Sequence, residues 1–271
     1  MNSVCYLEPS IVDVQSRKDT RNVAIDKVGV KNVRYPLKVL DKNNGFQNTV
    51  GSINMYVNLP RRFKGTHMSR FIEILNEFHG NFDIRSLSKI LETIRKKLDA
   101  ESAHVEIAFP YFIRKLSPVT KSPGLMEYGC RVIGSIDQHT GYDLIVEVMV
   151  PITTVCPCSK EISAYGAHNQ RGLVRLAVRF EKFMWIEDLI AIVESCASCD
   201  VYSVLKRVDE KFVTEKAYEN AKFVEDVVRD IALQMQNNPN ITWFAVDVEN
   251  FESIHNHSAY AFIERTKKRR E

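Results

Sequence analysis

The sequence predicts an α+β fold in which antiparallel strands and helices form two tandem ββααββ units. Three observations lead to this prediction. Runs that alternate between apolar and polar residues, typical of half-buried strands, occur in pairs. Between the pairs, apolar residues fall at three- and four-residue spacing, which is typical of amphipathic helices. The order of these patterns occurs twice, so the repeat is one of element order rather than of sequence identity.

The first unit begins with two strands separated by the turn signal DKNNG at Asp41–Gly45. Two helical patterns follow, and Phe71, Ile72 and Leu75 share one face of the first helix. A second strand pair then ends at the turn QHTGYD. The predicted elements are strands Lys31–Leu40 and Thr49–Pro60, helices Met68–Phe78 and Ile84–Leu98, and strands His104–Lys115 and Met126–Asp137.

The second unit repeats this order with a longer final helix. Phe223, Val227 and Ile231 lie in register along that helix, and Asn220 is its predicted N-cap. The segment NNPN at Asn237–Asn240 ends it. The predicted elements are strands Leu144–Val155 and Leu173–Lys182, helices Ile186–Cys196 and Ala221–Met235, and strands Ile241–Phe251 and Ser258–Thr266.

The chain divides into three predicted regions. Residues 1–30 are polar and aperiodic and are expected to form a mobile N-terminal arm. Residues 31–139 form the first unit, and residues 140–271 form the second, which carries most of the candidate site. A sheet with helices on one face leaves its other face and its edges uncovered. Oligomerisation can close such sheets into a barrel, which removes the edges, so we expect a homo-oligomer.

Composition limits the classes of function. The chain of 271 residues has a formal net charge of only +3, which does not indicate a nucleic-acid-binding protein. The N-terminus lacks the basic and apolar regions of a signal peptide. The most apolar segment, Leu144–Val155, is interrupted by Glu147 and Pro151 and is too short to span a bilayer. We therefore expect a cytoplasmic protein with neither a membrane nor a nucleic acid as partner.

The segment TVCPCSKEISAYGAHNQRG holds the first candidates for chemistry. A disulfide between Cys156 and Cys158 is disfavoured, because the ring would be very small and the expected compartment is reducing. A structural zinc site made of these two thiols with Cys196 and Cys199 stays open, although the first pair is one residue shorter than the usual spacing. The simplest interpretation of Cys196 and Cys199 is that both thiols pack near a helix end.

Several histidines and acids supply further candidates. His168 lies in a loop twelve residues after Cys156, and HNH at His255–His257 lies near the C-terminus. His255 and His257 face the same side if their link is extended. Further acids follow along the chain, and periodicity alone does not choose among them: Asp209, Glu210, Glu215, Glu219, Glu225 and Asp226.

Five motifs in the same order resemble GTP cyclohydrolase type IB, and the resemblance extends from about residue 64 to the C-terminus. This family opens the imidazole ring of GTP to give 7,8-dihydroneopterin triphosphate and formate. The resemblance implies the tunnelling fold, which is built from ββααββ units, and a homotetramer with active sites at subunit interfaces. The motifs are KGTHMSRF (Lys64–Phe71), CPCSK (Cys156–Lys160), GAHNQRG (Gly166–Gly172), VDEKFVTEKAYENAKFVED (Val208–Asp226) and SIHNHSAYA (Ser253–Ala261).

The same resemblance assigns roles residue by residue. It implies that Cys156, His168 and Glu210 bind one divalent metal ion, which is zinc, manganese or iron. Glu225 is implied to anchor the guanine ring of GTP through hydrogen bonds. The catalytic set is implied to comprise acid–base and orienting histidines and a thiol beside the metal: His255, His257 and Cys158. Candidates for binding the triphosphate, chosen because they lie near the motifs, are Lys64, Arg70, Lys160, Arg171 and Lys211.

The expected chemistry hydrolyses GTP at C8 of the guanine ring. A metal ion with three protein ligands keeps an open coordination position and activates water at neutral pH. Imidazole exchanges protons near neutrality, so His255 or His257 can protonate the leaving ring nitrogen. Two alternatives stay open: a nitrile reductase of the same fold that uses NADPH and a cysteine nucleophile, and a non-enzymatic interaction module stabilised by zinc.

Overall fold

The computed structural model describes residue 15, residues 17–78 and residues 84–267. In this part of the chain, nine strands form one antiparallel sheet with the order β1-β2-β3-β4-β5-β6-β8-β9, and the short β7 pairs with β5. The strands are β1 Ile25–Asp41, β2 Gly45–Leu59, β3 Ser102–Leu116, β4 Pro123–Asp137, β5 Gly141–Val155, β6 Asn169–Phe180, β7 Cys199–Asp200, β8 Ile241–Phe251 and β9 Ala259–Thr266. The helices are α1 Met68–Glu77, α2 Leu87–Lys97, α3 Pro157–Ile162, α4 Ile186–Cys196, α5 Arg207–Glu219 and α6 Val224–Asn237.

The predicted α+β architecture of two ββααββ units is confirmed. The second unit contains three elements that were not predicted, namely α3, α5 and β7. Asn220 as an N-cap is wrong: it is the C-cap of α5, and α6 begins after Phe223. Within the described ranges, no helix combines the length and the apolar character needed to cross a membrane.

The prediction of a mobile arm over residues 1–30 is wrong for residues 25–30, which belong to β1. Val28, Gly29 and Val30 pair with β2, so this segment continues the sheet rather than leaving it. Lys18 forms an isolated bridge with Phe63. Residues 1–14 and residue 16 lie outside the described part of the chain.

Helices cover one face of the sheet and bury a single hydrophobic core. Inward residues of α2, α4 and α6, such as Leu91, Ile190 and Ile231, pack on buried strand residues of both units. The core continues across the turn between β4 and β5, where the boundary at residues 139/140 was predicted. The division into residues 31–139 and 140–271 stays a prediction, because the two units share one core.

The opposite face of the sheet carries ion pairs between neighbouring strands. Glu106 on β3 pairs with Arg131 on β4 at 3.0 Å, and Arg175 on β6 lies 3.5 Å from Asp247 on β8. Burial raises the pKa of Glu147 on β5, and the nearby Arg131 and Arg175 only partly offset this effect. The sheet therefore has one apolar face under helices and one face that carries ion pairs between neighbouring strands.

A buried ionic network joins the two units. The side chain of Lys115 on β3 is only 14% exposed, and its Nζ lies 2.7 Å from Glu194 on α4 and 3.1 Å from Asp200 on β7. Tyr128 donates a hydrogen bond of 2.7 Å to the same Glu194 oxygen. Burial alone would raise the pKa of Asp200, but Lys115 and Lys216 outweigh it and lower that pKa.

Replacing Lys115 with methionine should destabilise the protein strongly, because the buried Glu194 would lose its cation and Asp200 would keep only the more exposed Lys216. We expect a loss of about 3 kcal/mol in the free energy of unfolding, measured by urea denaturation at pH 7. The matched control is Lys96→Met, which removes an exposed i,i+4 pair with Glu92 and should cost less than about 0.5 kcal/mol. Equal effects of the two substitutions would contradict the structural role of the network.

Candidate functional site

Cys156 and His168 lie side by side where the pairing of β5 with β6 ends. The backbone N–H of Cys156 donates to the carbonyl of His168 at 3.1 Å, which extends the ladder by one step beyond Val155 and Asn169. Pro157 occupies the first position of α3, where its missing N–H costs nothing. Cys156 is the N-cap of this helix, and its Sγ accepts a hydrogen bond of 3.4 Å from the backbone N–H of Ser159.

Two side chains contact the Nδ1 atom of the His168 ring. Its Nδ1 lies 3.0 Å from Oε1 of Gln170 and 3.4 Å from Oγ of Ser253. An amide oxygen only accepts, so this contact suits the tautomer in which Nδ1 carries the proton and Nε2 carries the lone pair. Metal-binding histidines usually have this arrangement, in which a hydrogen bond at one nitrogen orients the other. The thiol and the imidazole are thus suited to bind a divalent metal ion.

An open cavity of about 340 Å³ lies beside this pair. It includes Glu225, which stands exposed in the first turn of α6. Asp226 accepts a hydrogen bond of 3.0 Å from the backbone N–H of Phe223 and so fixes where α6 begins. The lining residues are Cys156, His168, Gln170, Phe223, Val224, Glu225, Asn250, Glu252, His255, His257, Ala259 and Tyr260.

The predicted histidines His255 and His257 lie in this cavity together. Their rings stack with centroids 5.3 Å apart and planes inclined by 30°. Nδ1 of His255 lies 3.8 Å from Oε2 of Glu252. Cys158 is exposed on α3, two residues after the cavity residue Cys156, and is not among the lining residues.

The floor of the cavity contains polar residues that the sequence analysis did not select. Gln170 is 8% exposed and Asn250 is 2% exposed. Each lies on the inward-facing side of its strand, where other residues are apolar, such as Val174 on β6 and Val248 on β8. A polar residue at an apolar position of a strand is therefore the signal that could have identified both. Glu252 and Tyr260 carried no comparable signal.

Glu210 is not among the cavity residues of the chain. It is exposed on α5, whereas the preceding Asp209 is buried and accepts hydrogen bonds from Val119 and Thr120. Val213 and Ala217 pack the same helix against the end of β5. Among the described residues, no group of three or more His, Cys, Asp or Glu side chains could hold a metal ion. One chain therefore supplies Cys156 and His168 but does not bring Glu210 to them.

None of the five cations proposed for the triphosphate lines this cavity. Nζ of Lys160 donates to the carbonyl of Tyr218 at 2.6 Å and lies 4.6 Å from the centre of that ring. Arg171 follows Gln170 along β6 and therefore points to the opposite face of the sheet. Lys64, Arg70 and Lys211 are exposed.

The four-cysteine zinc site is wrong for the described residues. Cys196 and Cys199 are buried in two different clusters, and Cys156 and Cys158 lie outside the main core. Burial raises the pKa of both buried thiols, so little of either is present as the thiolate that binds metals or attacks disulfides. The simplest interpretation, that Cys196 and Cys199 pack near a helix end, agrees with this placement.

Comparison with known proteins points to one family. Residues 11–261 match the family model described as type I GTP cyclohydrolase folE2. GTP cyclohydrolase FolE2 of Syntrophobacter fumaroxidans is 71% identical over 257 residues, which cover 95% of this chain and all of the relative. The protein of the same name from Desulfosudis oleivorans is 61% identical and aligns with 93% of this chain and 96% of its own. These names agree with the cyclohydrolase expectation and not with the nitrile reductase.

Solved structures of urate oxidases share the fold. A uricase from Bacillus fastidious has a TM-score of 0.56 at 9% identity, and the match covers 92% of this chain and 94% of the uricase. A hyperthermostable urate oxidase variant from Bacillus sp. TB-90 has a TM-score of 0.53 at 9% identity, covering 90% and 99%. At this identity the likeness concerns the fold alone, and it confirms the predicted tunnelling fold.

The placement of the cysteines predicts how they react with a thiol reagent. In the folded protein at pH 7, the exposed Cys158 should be labelled before the other cysteines of the described residues. Cys196 and Cys199 should resist labelling until the protein is unfolded in urea, because burial raises their pKa and blocks access. Mass spectrometry of the labelled peptides, with and without urea, measures this order. Labelling of Cys196 as fast as Cys158 in the folded protein would contradict it.

Proposed function

The chain belongs to the type I GTP cyclohydrolase FolE2 family, and from this premise we propose how its residues carry out the reaction. It is a GTP cyclohydrolase of folate and pterin biosynthesis, which hydrolyses GTP at C8 to give 7,8-dihydroneopterin triphosphate and formate. The narrower designation type IB is part of our proposal. The observation that carries the site assignment is the meeting of Cys156, His168, Glu225, His255 and His257 in one cavity.

One divalent metal ion per site, which is zinc, manganese or iron, is part of the proposal. The thiol of Cys156 and Nε2 of His168 fit such an ion in donor chemistry, and Gln170 orients the imidazole for it. When bound, the ion supplies an activated water molecule at neutral pH. Cys158 directly follows Pro157, and we propose that its thiol lies at the rim of the same site and assists catalysis there.

Glu225 is proposed to recognise the guanine ring. A carboxylate accepts two hydrogen bonds in a forked arrangement, which matches the ring N–H and the amino group of guanine. Glu225 is well placed for this because it lines the cavity from the first turn of α6. The flat base would lie between this residue and the apolar side chains of Phe223 and Val224.

His255 and His257 are proposed to hold and deliver protons. Opening the imidazole ring of guanine leaves a negative charge on the departing nitrogen, and a nearby imidazolium neutralises it. Glu252 lies 3.8 Å from Nδ1 of His255 at the same cavity. The stacked arrangement keeps both imidazoles in one cavity, so either can supply the proton.

We also propose that the enzyme is a homotetramer with sites at subunit interfaces. In the described chain, the outer sides of β1 and β9 have no strand partner, and Tyr260 and Phe262 on β9 are exposed. Pairing these edges between copies would close the sheet into the expected barrel. It would also let another subunit supply Glu210 and cations such as Lys64 or Arg70. A cytoplasmic location is proposed with this assignment.

The metal-binding role of Cys156 and His168 has a direct test. Cys156→Ala and His168→Ala should each lose bound metal, measured by elemental analysis of the purified protein. Formate release from GTP should fall by more than about 100-fold, because water is no longer activated. The matched control, Cys196→Ala, should keep both properties. Full metal content in Cys156→Ala would rule out this ligand.

Glu225→Ala should impair GTP binding without loss of metal. Two charge-assisted hydrogen bonds to the base would be lost, so we expect the Kd for GTP to rise by at least about 10-fold. Equilibrium dialysis with GTP measures the affinity, and elemental analysis checks the metal. Glu215→Ala, on an exposed turn of α5, is the control. An unchanged affinity for GTP in the Glu225 variant would remove the proposed role.

A further inference from the structure

Asn250 has an unused hydrogen-bond acceptor at the floor of the cavity. Its side chain is buried, with 2% exposure, at the end of β8. Nδ2 donates a hydrogen bond of 2.8 Å to Oγ1 of Thr154 on β5. Oδ1 has no hydrogen-bond partner within the described ranges. Buried polar atoms without a partner are rare in native proteins, and each one needs an explanation, such as a bound water molecule, an ion or a ligand group.

The surrounding strands hold the amide group in this position. Thr154 is fully buried, so its hydroxyl gives Nδ2 a fixed partner. Gly172 faces Asn250 across the pairing of β6 with β8. A Cβ atom at residue 172 would lie 2.4 Å from Oδ1, which is too close for any side chain. The glycine thus leaves the space that the carboxamide oxygen occupies.

The position of Oδ1 restricts which part of a nucleotide can reach it. An amide oxygen repels phosphate oxygens, so the triphosphate does not belong at this depth. The neighbouring Val224 and Ala259 offer apolar surface that suits a flat base. If Glu225 accepts the ring N–H and one amino hydrogen of guanine, the second amino hydrogen points away from the carboxylate. That hydrogen needs another acceptor.

We propose that Asn250 Oδ1 accepts a hydrogen bond from the exocyclic amino group of guanine and makes the site select guanine over hypoxanthine nucleotides. Hypoxanthine lacks this amino group, so an inosine nucleotide would leave Oδ1 buried without a partner. A site with such an unpaired group rejects the analogue that lacks the donor. Asn250 is then a specificity-determining residue, and this inference rests on the proposed guanine-binding function of the cavity.

The test compares GTP with ITP in the metal-loaded enzyme. For each nucleotide, formate release gives kcat/KM and equilibrium dialysis gives Kd. Asn250→Ala should lower the preference for GTP over ITP by about 10-fold in both measurements. Asn250→Asp keeps an oxygen at this position, with the hydroxyl of Thr154 able to donate to the other oxygen, and should retain the preference. Asn169→Ala, an exposed asparagine on the opposite face of β6, is the matched control.

Gly172→Ala provides a second variant in case Asn250→Ala does not fold. Its added Cβ displaces Oδ1 while the amide remains, so the preference for GTP should fall here too. An unchanged preference in either folded variant would overturn the role of Asn250, even if the wild-type enzyme releases formate from GTP. If the wild-type protein releases no formate from GTP, only the proposed reaction fails. A loss of the preference for GTP in the binding measurement would still support the role of Asn250. Wild-type protein that binds both nucleotides equally would overturn the role as well.

Discussion

The register of β6 between β5 and β8 is the constraint on which the site depends. In an antiparallel sheet, directly paired residues point to the same face. The register therefore decides which side chains come together across the three strands. On the helix-covered face, this register brings together Thr154, Gln170, Gly172 and Asn250. Cys156 and His168 continue the same row beyond the ends of the strands. A shift by one residue would move all of them to the charged face. The apolar alternation of the same strands prevents that shift, because it would expose the core.

The two faces of the sheet impose different requirements on assembly. The helix side is complete within one chain, since α2, α4 and α6 bury a continuous core there. The other side carries paired charges such as Glu106 with Arg131, which tolerate water and do not need a hydrophobic cover. The remaining requirement concerns the edge strands β1 and β9, whose outer backbone groups lack a strand partner in the described chain. The edges β1 and β9 are therefore the part of the described sheet through which the proposed association would close it.

Much of the fold could be predicted from sequence because alternation and helical spacing report directly on burial. Elements were missed where burial is weak or local. Helix α5 presents mainly Val213 and Ala217 to the protein, so its apolar stripe is narrow, and the helix start was placed instead at Ala221. For the site, motif resemblance identified Cys156, His168 and Glu225. The resemblance did not identify Asn250. The role proposed for this residue depends on its pairing partner Gly172, which lies 78 residues earlier in the chain.

Asp209 and Glu210 show why adjacent acids cannot be ranked by sequence alone. On a helix, consecutive side chains point about 100° apart, so one can be buried while the next faces outward. Asp209 accepts hydrogen bonds from Val119, Thr120 and Lys206, and these lower its pKa by more than burial raises it. The carboxylate ties the start of α5 to the turn between β3 and β4. Glu210 is thereby held exposed on the outer side of a fixed helix, outside the cavity that Cys156 and His168 line in its own chain.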